Sequence, residues 1–364
     1  MKTMDDHPVK RAVPRLFIPG PVEVEQPILD ALTRPMIGHR APEFTALGEV
    51  VHRDSQRFFH TQDPVYLLTS SGTGGMETAV RNGVREKVLC FVNGAFGERF
   101  YKICVSNGKD TTRVDLPWGH AVKPDKVREE LSRGDFDAVT VVHNETSTGV
   151  MSPLGEIAEV VAEQDDVFLL VDAITSAAAT PIYLEQMAAI DYLVTGSQKA
   201  LALPPGLALL AVSERAHDRA ATIENRGTYF DVLAMNKSWK KNQTPSTPAI
   251  ALMQALKDRL AGILADEASW YQAHEEKAAL TRDWATRQFK LFPEEGFESV
   301  SLTCIENNRG ISIADLNQAL RNHDMLLSNG YGDLKEKTFR IGHMGAVTTE
   351  DTKELLGLID DFIS

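Results

Sequence analysis

Three stretches of the 364-residue chain hold residues whose types could do chemistry together. In VTGSQKALALPPG (194–206) one lysine, Lys199, stands among small and apolar residues that should bury it. Burial disfavours an ammonium. Such a lysine therefore either snorkels, with its stem covered and its charge in water, or is held partly neutral and can condense with a carbonyl. In TSSGTGGME (69–77) glycines follow a strand pattern and precede a helical one. Converging N–H groups and a helix N-terminus would suit a phosphate, although the same residues also make an ordinary glycine-rich turn capped by a hydroxyl. The stretch is neither G-x-x-x-x-G-K-[ST] nor G-x-G-x-x-G. In LLVDAITS, Asp172 ends an apolar strand, where open α/β sheets place ligands. Its carboxylate could pair with a cation or cap the next turn.

Each stretch alone has a plain structural reading. Taken together, a buried lysine, a phosphate cradle and a strand-end carboxylate are the groups that pyridoxal phosphate requires. Elements of one sheet must bring them together. Short apolar runs recur between helical patterns: VYLL from Val65, VLCFV from Val88, DAVTVVH from Asp137, VFLLVD from Val167, DYLVTGS from Asp191 and LALLAVS from Leu207. Continuous apolar strands interleaved with helices indicate an α/β domain whose sheet is largely parallel and covered on both faces. DYLVTGS and LALLAVS are separated only by QKALALPPG, too short for a crossover helix. They are expected to pair antiparallel, with Lys199 just past the first strand. After Thr244–Pro248 the pattern changes to long helices, then to strand candidates SVSLTC and TFRIG and helices ISIADLNQALRNH and TTEDTKELLGLIDDFI. The expected division is an N-terminal extension or arm over 1–24, a large domain over 25–255 and a smaller α+β domain over 256–364.

Composition narrows the ligand class. A net charge of -13 argues against a nucleic acid or an acidic membrane as partner, and a small molecule fits better. Cys90, Cys104 and Cys304 form no C-x-x-C, so neither a disulfide framework nor a zinc site is indicated, and a reducing cytoplasm is the simple expectation. The ten histidines include no H-x-x-x-H pair on a predicted helix, so no metal is expected. No apolar run has signal-peptide length, and none approaches the roughly 20 residues of a membrane span.

Nine segments then carry a resemblance, in order: IPGPVEV, IGHRAPEF, SSGTGGME, NGAFGERF, HNETSTGV, LLVDAITS, SQKALALPPG, TPSTPAI and FRIGHMG. The chain resembles the class V, fold-type I pyridoxal-phosphate aminotransferases, especially the alanine-glyoxylate and serine-glyoxylate (serine-pyruvate) group. The resemblance implies a large domain with a mostly parallel seven-stranded sheet, a smaller C-terminal α+β domain, and a homodimer with active sites at the subunit interface. It also implies ping-pong transamination between alanine or serine and glyoxylate or pyruvate; relatives use aspartate, phosphoserine or an aminophosphonate on the same scaffold.

By the same resemblance, Lys199 would carry pyridoxal 5'-phosphate as an imine and move the substrate proton, and Asp172 would face the pyridine nitrogen. Phe96 would stack on the ring, where many members have tryptophan. Thr73, Gly74 and Gly75 match the phosphate cradle, with Gln198 adding an amide. Thr146 matches the residue near the phenolic oxygen, and Thr244 would reach the phosphate of the neighbouring subunit, with Gln243 a weaker candidate. Arg340 would clamp the substrate α-carboxylate, a task suited to a planar guanidinium. His39 lies in an entrance loop and could touch substrate or the partner chain. Arg40 and Arg226 are candidates for a second substrate carboxylate. Cysteine desulfuration on this scaffold needs a mobile cysteine, whereas Cys304 reads as part of a buried strand and Gln198 replaces the histidine that desulfurases commonly carry. Intact Lys199, Asp172 and Arg340 argue against a relative that has lost catalysis.

Overall fold

The computed structural model describes residues 13–187 and 189–364, so residues 1–12 of the expected N-terminal extension lie outside the described residues. The apolar runs form one sheet whose alternate residues point to opposite faces. In Phe168–Asp172, Leu169 and Val171 join one buried cluster while Phe168 and Leu170 join another. The period of two thus serves two cores, which is why these strands read as continuous rather than alternating.

The sheet has seven strands, in spatial order Val65–Leu68, Ala208–Val212, Ile190–Gly196, Phe168–Asp172, Ala138–Val142, Lys87–Val92 and Asp110–Asp115. Ala208–Val212 is antiparallel to both its neighbours, and the remaining pairs are parallel. The antiparallel pair expected from the short QKALALPPG connection is present, with Ala208 opposite Gly196 and Val212 opposite Tyr192. Helices Gly72–Gly83 and Ala95–Ser106 lie against the sheet. Gly75 makes the first of these close: a Cβ there would come within 2.5 Å of Val194 Cγ1.

A second sheet of five strands runs Arg15–Phe17, Met325–Asn329, Thr338–Gly342, Leu302–Glu306 and Lys290–Leu291. Arg15–Phe17 joins it parallel to Met325–Asn329, and the other pairs are antiparallel. Ile313–Arg321, Thr349–Ile363 and the end of Glu267–Gln288 supply its core through Leu316, Leu320, Leu355, Ile359, Trp284 and Ala285. Helix Ile250–Ala265 belongs instead to the large core: Met253, Leu256 and Leu260 cluster with Phe44, Leu47 and Val51 of Pro42–Phe58.

Candidate active site

Lys199 follows the strand Ile190–Gly196 by three residues. The turn that carries it is tied down locally: Ser197 N–H donates to the Leu207 carbonyl at 2.9 Å, Ser197 Oγ to the Pro204 carbonyl at 2.8 Å, and Ala202 N–H to the Lys199 carbonyl at 2.8 Å. The side chain is 9% exposed, and Nζ donates to the carbonyl of Pro19. The IPGPVEV segment therefore lies directly on the amine. Gly20, at φ +120°, must be glycine both for its conformation and because a Cβ would fall 2.9 Å from Lys199 Cδ. Burial lowers the Lys199 ammonium to about 8, with Asp172 opposing the shift and Arg340 and Arg99 adding to it.

Asp172 ends its strand opposite Val194 of the strand that leads to Lys199. It is buried, and one oxygen accepts Ile174 N–H at 2.9 Å. Burial raises its carboxyl to about 7; the buried carboxylate of Glu145 adds to the rise, while Lys199 and Arg99 counter it. A cation brought against Asp172 would hold it ionised.

The turn SSGTGGME leads into the helix Gly72–Gly83, and Ser71 at its N-cap makes no side-chain cap bond. Its first-turn N–H groups therefore lack a side-chain cap. Thr73 Oγ1 accepts a long contact from Arg99 Nη1 at 3.5 Å. Gly74 abuts Ser70, where a Cβ would meet Oγ at 2.6 Å, and Gly75 is explained by its approach to Val194. Gln198 Oε1 is buried and has no hydrogen-bond partner among the described residues. A helix N-terminus without a side-chain cap, a buried amine and a buried carboxyl fit a phosphorylated pyridine aldehyde.

Phe96 opens the helix Ala95–Ser106. Its ring lies 5.9 Å from that of Tyr331, and the Arg99 guanidinium sits 4.8 Å over its centroid. Arg340, on Thr338–Gly342, reaches from the second sheet: Nη1 donates to the Thr146 carbonyl at 3.2 Å, and Nε and Nη2 donate to the Asn329 carbonyl at 3.3 and 3.0 Å. It is 7% exposed and has no carboxylate partner among the described residues. Thr146 Oγ1 is 2.6 Å from Thr175 Oγ1.

The structure thus groups Lys199, Asp172, Thr73, Gly74, Gly75, Gln198, Phe96, Thr146 and Arg340 around the ends of the central strands. His39 is half-buried on the loop before Pro42–Phe58, with no hydrogen bond to this group. Thr244 Oγ1 donates to the Ser246 carbonyl at 2.8 Å, and Gln243 Nε2 to Thr45 Oγ1 at 2.7 Å, so neither meets the group within the protomer. Arg40 and Arg226 are both engaged elsewhere. Arg40 donates to Gln243 Oε1 and to the carbonyls of Thr244 and Pro245, and Arg226 to Asp231 and the carbonyls of Ala220 and Ile223.

A second guanidinium near Lys199, besides Arg340, is instead that of Arg99, which sequence reasoning did not single out; it too has no carboxylate partner among the described residues. Its signal was present in NGAFGERF, where a three-residue spacing puts it on the helix face of Phe96. Arg99, Ala95, Trp118 and Tyr331 line a cavity of about 720 Å³. Cys304 is fully buried in the strand Leu302–Glu306, and burial pushes its thiol up to about 12, against the exposed, mobile thiolate that desulfuration needs. Among the described residues no three His, Cys, Asp or Glu side chains group as a metal site, and no helix is long and apolar enough to cross a membrane.

The chain is similar to known proteins over nearly its whole length. An uncharacterised aminotransferase of Methanocaldococcus jannaschii is 36% identical over 353 residues, 95% of this chain and 91% of that one. The L-aspartate–glyoxylate aminotransferase of Paracoccus denitrificans is 32% identical over 355 residues, 94% of this chain and 89% of that one. The crystal structure of an alanine–glyoxylate aminotransferase from Nostoc sp. superposes with a TM-score of 0.91 at 26% identity, covering 100% of both chains. The family model for class V aminotransferases matches residues 29–332, a span that runs through the buried lysine, the cradle and the strand-end aspartate. With that span, and with relatives matched over nearly their whole length, the chain belongs to the class V aminotransferases, enzymes that use pyridoxal phosphate to move amino groups between amino acids and keto acids.

Proposed function

We propose that the enzyme transfers the amino group of a small amino acid, alanine or serine, to glyoxylate or pyruvate in two half-reactions at one site. The observation that carries this reading is Arg340, a buried guanidinium without a carboxylate partner among the described residues and electrostatically coupled to Lys199. A cation so placed calls for an anion at a fixed distance from a poised amine, as an α-amino acid provides. The glyoxylate acceptor is supported by the activities named for the relatives from Paracoccus and Nostoc.

When bound, pyridoxal phosphate supplies an electrophilic aldehyde and an electron sink. Thr73, Gly74, Gly75 and Gln198 would hold its phosphate, and Thr244 of a second copy of the chain would add to them in a homodimer. Phe96 would cover one ring face, Thr146 would stand by the phenolic oxygen, and Asp172 would keep the pyridine nitrogen protonated. Lys199 Nζ would hold the aldehyde carbon until a substrate amine displaces it. The freed amine, its ammonium lowered by burial, would accept the proton from the substrate Cα and give it up again to complete the half-reaction. Arg340 fixes the substrate carboxylate so that the Cα proton faces Nζ. His39 would border the entrance. The large domain, which keeps the whole helix Ile250–Ala265 and so extends past the expected boundary at 255, and the smaller domain built on the second sheet would close over substrate. Three free, buried cysteines suit a reducing cytoplasm.

A second reading, with a dicarboxylic donor such as aspartate, is favoured by Arg99, the spare guanidinium beside Phe96. The half-reaction decides between them. The cofactor-loaded enzyme is mixed with alanine, serine or aspartate and the visible band is followed. Conversion by alanine or serine supports the first reading; conversion by aspartate alone, lost in Arg99→Gln, refutes it.

A further inference from the structure

One buried acid in this neighbourhood has no part in the reaction described above. Glu145, in HNETSTG, is fully buried and forms no ion pair among the described residues. Its Oε2 accepts the N–H groups of Phe96 at 2.9 Å and Gly97 at 3.0 Å, and its Oε1 accepts Ser147 N–H at 3.0 Å and Ser147 Oγ–H at 2.6 Å. Ser147 Oγ in turn accepts Ala95 N–H at 3.1 Å. Three leading N–H groups of the helix Ala95–Ser106 are thus satisfied from a loop some fifty positions away. That helix cannot cap itself: its N-cap is Gly94, where a Cβ would lie 2.4 Å from Glu145 Cγ.

The residue between Glu145 and Ser147 is Thr146, whose carbonyl holds Arg340 Nη1. One tripeptide therefore fixes the ring-covering Phe96 on one side and Arg340 of the second sheet on the other. Burial pushes the Glu145 carboxyl up, and these four donors, with the positive end of a helix, act against that rise. Glutamine could not replace Glu145, because its amide nitrogen would point a donor at donors.

We propose that Glu145 is a positioning residue for transamination: through the leading turn of Ala95–Ser106 and the Thr146 carbonyl, it sets the relative placement of Phe96 and Arg340. It touches neither substrate nor cofactor. The inference rests on the roles proposed for Phe96 and Arg340.

The test uses the full-length, cofactor-loaded protein with Glu145→Gln and Ser147→Ala, reading visible circular dichroism of the cofactor, cofactor Kd, and kcat and KM with L-alanine, L-aspartate and glyoxylate. Glu145→Gln should collapse the dichroism and raise both cofactor Kd and donor KM by about tenfold or more, with Ser147→Ala moving the same readouts by about threefold. A cap that serves stability alone would lower the melting temperature yet leave dichroism, Kd and KM at wild-type values below it; that pattern overturns the proposal. If Glu145→Gln does not fold, wild-type values in Ser147→Ala overturn it equally. Phe96→Ala and Arg340→Ala separate the two levels. Wild-type Kd and KM in those variants would refute the roles of Phe96 and Arg340 themselves, and Glu145 would lose its function with them.

Discussion

The lowered Lys199 ammonium has a direct kinetic consequence for uptake of the cofactor by the apoenzyme. Only the neutral amine attacks an aldehyde. A lysine at its ordinary value of 10.5 would be neutral in about one molecule in 3,000 at pH 7, whereas one at about 8 is neutral in about one in eleven, a gain of about 300-fold. The gain comes first from burial, with the nearby guanidinium groups of Arg340 and Arg99 acting in the same direction and Asp172 against it. Mixing apoenzyme with pyridoxal phosphate by stopped flow between pH 6.5 and 10, with Nα-acetyl-lysine as the control, reads the profile. The protein rate should climb about tenfold per pH unit, bend near pH 8 and level off, while the control keeps climbing through pH 10. A protein profile parallel to the control would refute the claim that burial poises this amine.

Three further outcomes follow from the same geometry. Asp172 titrates in the apoprotein near 7 instead of 3.8, so the folded state holds its proton more tightly than the unfolded one, and stability falls as pH rises from about 4 to 7. That loss is on the order of 4 kcal/mol. Apo Asp172→Asn should therefore match wild type near pH 4 and melt a few degrees above it at pH 8, as calorimetry would show; equal melting at both values would contradict the shift. Arg340→Lys should raise donor KM by about 10²-fold, because a point charge cannot reproduce a planar fork, and steady-state kinetics with unchanged KM would count against the clamp. Gly75→Ala should cost about 1–3 kcal/mol in denaturant unfolding, since its Cβ would press on Val194 Cγ1 at 2.5 Å.

Much of the large sheet was legible because its strands are apolar on both faces, and the one reversed strand was betrayed by a connection too short to cross over. The edge strand Asp110–Asp115 escaped because its sequence, DTTRVD, buries only Val114 and so lacks an apolar run. Arg15–Phe17 and Met325–Asn329 escaped because each is short and takes its meaning from the other. In the site, Lys199 and Asp172 stood out as charged types in apolar surroundings, and Arg340 came only through family resemblance. Arg40 and Arg226 looked equally available as letters, yet backbone carbonyls occupy them. Glu145, Arg99 and Pro19 gain their importance from tertiary contacts, which no local pattern records.

The path of the chain before residue 25 bears on how the enzyme is made. Arg15 pairs with Met325, and a few residues on, the Pro19 carbonyl receives the Lys199 amine. During synthesis the strand Arg15–Phe17 leaves the ribosome long before its partner exists, so its place in the sheet stays open until nearly the whole chain has emerged. The large sheet can form earlier, since all its strands lie between residues 65 and 212. The segment that covers Lys199 can settle with it, since Val22 N–H reaches the Gln198 carbonyl and Val22 joins the large core, and only the docking of Arg15–Phe17 waits for the second sheet.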